Sequence, residues 1–164
     1  MPIIASDIVY RLSGGAANSD PAASLGGAKS SVAMASTIFD DVASAEATAG
    51  DVEYRCVYVH NAHGSLVYQA PKIWIEANTP SANTTVAIGL GTSAVNATEQ
   101  TVANENTAPS GITFTEPDNY AAGVALSDIP AGQHRAIWIR RTVTAGATVA
   151  ADSFTLRVQG DTNP

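Results

Sequence analysis

Three observations predict an all-β fold, an antiparallel β-sandwich of the Ig-like or jelly-roll kind. Val, Ile and Thr supply 14, 11 and 16 of the 164 residues, whereas Leu occurs 6 times and Lys twice. Side chains branched at Cβ fit a pleated surface better than a helix. Apolar and polar residues alternate in short runs, and Gly, Pro, Asn and Asp cluster between those runs as turns. Roughly seven to nine short strands divided in this way pack as two sheets face to face. The length suits one domain, and with 30 residues being Ala the core is modest.

Residues 1–36 read as an extended Gly/Ser/Ala-rich N-terminal arm, and residues 37–164 as the sandwich domain. The arm holds one strand candidate, Asp7–Leu12. Two near-copies follow, Leu12-Ser13-Gly14-Gly15-Ala16 and Ser24-Leu25-Gly26-Gly27-Ala28. Residues this small bury too little apolar area to offset the entropy of ordering them. Two readings stand: a loose tail, or an arm that orders only against a neighbouring subunit.

Thr37–Val42 reads first as a short strand. A helical turn is second, because Val32, Ala35, Phe39 and Val42 recur at three- and four-residue spacing. Ala49-Gly50-Asp51 is a turn into Val52–Asn61, the strongest strand. Its Val52, Tyr54, Cys56, Tyr58 and His60 share one face, and Glu53, Arg55, Val57, Val59 and Asn61 the other. Large apolar groups on both faces place it centrally, covered on each side. Cys56 at mid-strand reads as a small buried hydrophobe.

Ala70–Ala77 and Thr84–Gly91 are the next strands, joined by the turn cluster Asn78–Asn83. Thr92–Pro109 is a long polar connection holding one edge strand. Ile112–Glu116 and Gly123–Leu126 are short strands, and His134–Thr144 is a long one. Ala145-Gly146-Ala147 turns the chain into Asp152–Gln159. There Phe154, Leu156 and Val158 alternate cleanly with Ser153, Thr155, Arg157 and Gln159, one face inward and one wet.

Ile73-Trp74-Ile75 and Ile137-Trp138-Ile139 each point two isoleucines one way and a tryptophan the other. If the isoleucines fill the core, Trp74 and Trp138 lie on outer faces as partner contacts. The opposite arrangement has the tryptophans inside and the isoleucines under a loop. The candidate partner contacts are Tyr10, Leu12, Leu25, Trp74, Trp138 and Arg140.

Formal charge is −7, and no basic run exceeds Arg140-Arg141, which argues against a nucleic-acid surface. No apolar run approaches membrane-spanning length, and Met1-Pro2-Ile3-Ile4 opens no secretory signal. One cysteine excludes an internal disulfide. His60 and His63 sit three apart at a strand end and in a turn, without a third metal ligand. Gly89-Leu90-Gly91-Thr92 opens no helix and carries no lysine, so no phosphate site is read there. Asp40-Asp41 and the Glu116/Asp118 pair are too short for a calcium loop. No Gly-x-Ser-x-Gly elbow occurs. No catalytic, cofactor or metal residue is assigned, and the chain is read as a non-enzyme. Charged residues are only 14% of the sequence, well under the roughly 25% of typical domains, so either the surface is built from Thr, Ser, Asn and Ala or much of it is covered by partners.

Several segments resemble small virion structural proteins of tailed bacteriophages, of the capsid decoration or cement kind. These are Phe39-Asp40-Asp41-Val42, Gly50–Asn61, Lys72-Ile73-Trp74-Ile75, Ile88-Gly89-Leu90-Gly91, Ile129–Arg141 and Asp152–Val158. The resemblance spans nearly the whole chain, including its Gly-rich start. It implies an Ig-like or jelly-roll sandwich on the outer capsid surface, made in the bacterial cytoplasm. The implied partners are the major capsid protein and further copies of the chain, with a trimer favoured, and neither nucleic acid nor membrane. Two alternatives remain open: a tail, neck or baseplate component, and a carbohydrate-binding module in which Trp74, Trp138 or Tyr120 stacks on sugar rings.

Overall fold

The structure is a computed structural model and describes residues 1–147 and 152–162. In chain order its strands are β1 (Ile8–Leu12), β2 (Gly26–Gly27), β3 (Asp51–Asn61), β4 (Tyr68–Ala77) and β5 (Thr84–Leu90), followed by β6 (Glu99–Thr101), β7 (Val124–Ala125), β8 (His134–Val143) and β9 (Thr155–Thr162). One sheet runs β1-β3-β8-β5, a second β7-β4-β9, and β2 pairs with β6 in a small third. Every pairing is antiparallel. The fold is an all-β sandwich.

The core lies between the two larger sheets. Val57 and Val59 of β3, Ile137 and Ile139 of β8 and Val86 and Ile88 of β5 face Ile73 and Ile75 of β4, with Leu126 and Ile129 beside them. Each of these side chains is at most 3% exposed. Such burial stabilises by roughly 1.5–3 kcal/mol per aliphatic side chain. β9 closes the layer with Leu156 and Val158 half-buried against Thr155, Arg157 and Gln159 in solvent, the alternation expected from the sequence. β3 is central, between β1 and β8, and covered on both faces.

Four elements differ from expectation. Thr37–Val42 is neither strand nor helix: it crosses the mouth of the sandwich as an irregular segment and drives Ile38 and Phe39 into the core. Ile112–Glu116 contributes a single bridge, Thr115 to Ile88. A helix not foreseen, α1 (Ser44–Ala49), follows Ala43, whose N–H donates to the Glu46 carboxylate at 2.7 Å. It ends at Gly50, whose φ of +79° a side chain would strain.

The fourth difference is the arm. Residues 1–36 lie against their own domain. β1 pairs with β3 over its whole length, and Leu12 is 1% exposed in the core. The near-copies face each other, with Gly15 N–H donating to Ala28 O at 3.0 Å and Gly26 N–H to Ser13 Oγ at 3.1 Å. A Cβ on Gly26 would meet the Gln100 carbonyl oxygen at 1.8 Å, so only glycine fits. Order in the near-copies comes from main chains in close approach and their hydrogen bonds, while Leu12, Ile8, Tyr10, Val32 and Met34 add apolar contact with the core.

Candidate functional site

Polar side chains gather in two places. At one end of the inner face, β3 and β8 bring Glu53, Arg55 and Arg141 beneath the 38–42 segment. Arg141 Nε donates to Glu53 Oε2 at 2.5 Å and its Nη1 to the Asp40 carbonyl at 2.5 Å. Arg55 Nη2 donates to Glu105 Oε2 at 2.5 Å, and Asp40 Oδ1 lies 3.5 Å from Arg141 and 3.9 Å from Arg55. Between the guanidiniums lies the Phe39 ring, 5.4 Å from Arg55 and 4.9 Å from Arg141. Burial pushes the Glu53 carboxyl up to about 7, with the Asp40 charge adding and Arg141 opposing. Asp40, Glu53 and Glu105 place carboxylate oxygens within 4.8 Å of one another. Two guanidiniums already stand among these three acids, so the cluster is a salt-bridge network that staples loops to the sheet. A cavity of about 380 Å³ adjoins it, lined by Ile38, Phe39, Val86, Phe154 and Leu156 with Thr84 and Asp152 at its rim.

The second group lies on the opposite face of the same sheet. Tyr58 hydroxyl donates to Gly27 O at 2.5 Å and accepts from Glu99 N–H at 3.0 Å, tying both strands of the small sheet to β3. Burial works against the charged form of Glu99. Bonds from Ser93 N–H and the Thr92 hydroxyl, both 2.9 Å, outweigh it and hold the carboxyl down at about 2. His60 stands directly opposite His134 across β3 and β8. Burial, then the charge of Lys29, lowers His60; the same causes with His60 itself bring His134 to about 4. His63, by contrast, closes its turn: its Nδ1 accepts from Ser65 N–H at 3.1 Å and Leu66 N–H at 3.0 Å.

The six candidate contacts are placed as follows. Both tryptophans do point away from the inter-sheet core, and both are covered. Trp138 is 0% exposed, packed with Cys56, Tyr58 and Ala136 under Val102, Ile112 and Phe114. Trp74 is 6% exposed beneath Tyr120, with ring centroids 5.9 Å apart, and Arg157 lies 5.8 Å from its ring. Leu12 belongs to the core. None of these three presents a surface to a partner, because the chain's own loops occupy the positions that a partner or a sugar ring would take. Arg140 is half-buried, 5.1 Å over Phe114. Leu25 is half-buried, its carbonyl accepting from Val102 N–H at 3.0 Å. Tyr10 is half-buried between the two sheets, and burial raises its hydroxyl pKa.

Sequence reasoning missed the salt-bridge network, although Glu53 and Arg55 in the middle of the most apolar strand were its signal. No family model, curated protein or solved structure matches this chain. No helix is long and apolar enough to cross a membrane among the described residues.

Proposed function

We propose that this chain is a capsid decoration protein that binds the outer surface of a phage head and stabilises the lattice of the major capsid protein. One observation carries the reading beyond the resemblance: each of the eight Lys and Arg residues has an internal partner. Arg11 and Lys29 bond to the carbonyls of Ser31 and Ser30, Lys72 to that of Ala121 and Arg135 to that of Gly91. Arg55, Arg141 and Arg157 pair with Glu105, Glu53 and Glu76, and Arg140 stacks on Phe114. The cations being engaged within the chain, what is left to meet a partner is main chain, short polar and Ala side chains, carboxylates and a few exposed apolar side chains such as Val52, Val67 and Tyr120. That is material for close mechanical contact, repeated over a symmetric shell where weak contacts multiply.

The experiment is to add the purified full chain to expanded phage heads that lack a decoration protein. Saturating co-sedimentation at hundreds of copies per head, with a raised bursting temperature, is the expected result. A dozen copies or fewer, or binding confined to the tail, would sink the head-surface reading. Removing residues 1–36 is expected to unfold the domain rather than yield a folded non-binder, since β1 and Leu12 leave with them.

A further inference from the structure

Sheet borders in this molecule are blocked, with one exception. β1 is flanked by the 30–34 segment: Ser30 N–H donates to Leu12 O at 2.8 Å and Met34 N–H to Tyr10 O at 2.8 Å. The first half of β3 is flanked by Ser24 and Glu105, whose carbonyls accept from Cys56 and Tyr54, each at 2.7 Å. On β5, the Asn78 amide brackets Val86 with two bonds of 2.9 Å, and Thr115 brackets Ile88 at 2.8 and 2.9 Å. β7 is only two residues long. β9 has eight residues, and among the described residues no other main chain bonds to the edge it turns away from β4, where only the Tyr68 hydroxyl reaches the Gly160 main chain. An open border of this length is a ready template for pairing with another strand.

Which main-chain groups face outward follows from β4. Pro71 O accepts from Leu126 N–H and Ile75 N–H donates to Pro117 O, both at 2.8 Å and both on the side away from β9. Alternation then turns Lys72 and Trp74 towards their β9 partners Gln159 and Arg157. The main-chain groups of Leu156, Val158 and Gly160 therefore point into the open.

We infer that β9 pairs antiparallel with β9 of a second copy of this chain, about a two-fold axis at Gln159. In that register Arg157 lies opposite Asp161 of the second copy and Asp161 opposite its Arg157, each in the closer, non-hydrogen-bonded kind of pair. Unlike charges thus meet twice on the exposed face, Arg157, whose side chain is 54% exposed, sharing its guanidinium between Glu76 of its own β4 and Asp161 of the second copy. A shift by two residues in either direction loses both pairs. On the inner side, Ile3, Ile4 and Ile8 form a groove of about 480 Å³ with Leu156, Val158 and Gly160. Ile4 is 58% exposed there. In the pair the two grooves adjoin on the same side of the joined sheet, so the same step joins the sheets and brings the exposed isoleucines of the two copies together. The contact is isologous and closes at two copies. It stands independently of the capsid reading, and it replaces the trimer implied by the resemblance with a two-fold pair.

Sedimentation velocity on the full chain over a concentration series is the primary test, and a reversible dimer is expected. Asp161→Arg sets like charges opposite each other twice and should weaken the dimer about tenfold. Adding Arg157→Asp to it restores unlike pairs and should recover most of that loss. Gln159→Cys places two thiols at the axis, at a spacing a disulfide accepts. Because Cys56 is 0% exposed, mild oxidation should give a covalent dimer through position 159 alone, and none from Thr101→Cys on β6. A strict monomer, a trimer, or a dimer that neither cross-links at 159 nor responds to the charge exchange would overturn the proposal. The cross-link decides the matter even if a charge variant folds poorly.

Discussion

The two faces of the β1-β3-β8-β5 sheet are both buried, but by different means. Towards β4 and β9 the sheet presents Val57, Val59, Val86, Ile88, Ile137 and Ile139, aliphatic along its middle, with Glu53, Arg55 and Arg141 at the end covered by residues 38–42. Away from them it presents Cys56, Tyr58, Ala136 and Trp138, with His60 and His134 at one end. The reason lies in what covers each face. A paired strand satisfies its own main chain, so its neighbours need only be apolar. Loops do not, and the segments around 13–31 and 92–115 borrow partners from the sheet. Ser13 Oγ donates to Cys56 O at 2.8 Å, and Tyr58 bonds both Gly27 and Glu99. Where irregular chain is the roof, on this outer face and at the inner end beneath residues 38–42, the sheet carries large side chains with polar ends; where strands are the roof, the middle of β3, β8 and β5 is aliphatic.

The largest expected effect tests whether that roof is as much a core as the aliphatic layer is. Trp138→Ala should lower stability by about 3–5 kcal/mol, as for any fully buried aromatic. Ile137→Val, one residue along on the other face, should cost about 0.5–1.5 kcal/mol. Urea unfolding with a common slope measures both. If Trp138→Ala cost under about 1 kcal/mol, the 92–115 segment would be a loosely laid flap, and the comparison between two true cores would break.

The aliphatic face was legible in the sequence; of the roofed face only β3 was, where large apolar groups on both sides and Cys56 at mid-strand read as covered. Strand periodicity assigns Ile73, Ile75, Ile137 and Ile139 to one side and Trp74 and Trp138 to the other, and the structure agrees. What period two cannot show is whether a loop returns over the outer side. Trp138 was therefore readable as an outer residue and not as a buried one. The same gap hid the fate of residues 1–36. Counting apolar area gave no reason for Gly14 and Gly26 to order, because their contribution is closeness: the position of a Cβ on Gly14 lies 2.5 Å from the Ala23 carbonyl oxygen. Glu53 and Arg141 are far apart in sequence and meet only through the β3–β8 register, Glu53 opposite Arg141, which no local pattern encodes. β9 was the opposite case. Its alternation was clean because only one of its faces is covered.

A middle-sized effect isolates the polar tether from the packing. Tyr58→Phe keeps the ring against His134, whose centroid is 4.8 Å away, and removes only the hydroxyl. It leaves Gly27 O and Glu99 N–H without their partner, at a cost of about 1–3 kcal/mol. The sharper readout is local: hydrogen exchange at Glu99 and Thr101 should accelerate, while Val57 and Ile139 amides in the sandwich change only with global stability. Uniform acceleration across both faces would mean that the roof and the sandwich open as one unit.

The smallest effect is in pH, where the two polar groups pull in opposite directions. His134 titrates at about 4 in the fold against an ordinary value of 6.5, so its neutral form is the folded one. Its contribution is complete above pH 6.5 and is lost as pH falls towards 4, and His60, also lowered, acts in the same sense. Glu53 titrates at about 7 against an ordinary 4.5, so folding favours its protonated form. Its contribution is complete below pH 4.5 and is lost as pH rises towards 7. Between pH 4.5 and 6.5 the two slopes oppose, and stability of the unaltered chain should be nearly level. Below 4.5 it should fall, as Glu99, held at about 2, takes up its proton. Glu53→Gln removes one side of the balance. Whatever it costs at neutral pH, it should tilt the level stretch, so that stability drops on the order of 1 kcal/mol from pH 6.5 to 4.5. Urea midpoints across that range measure the tilt. A variant as level as its parent would mean that His134 is not buried by the 92–115 roof in solution, and the face it marks is open.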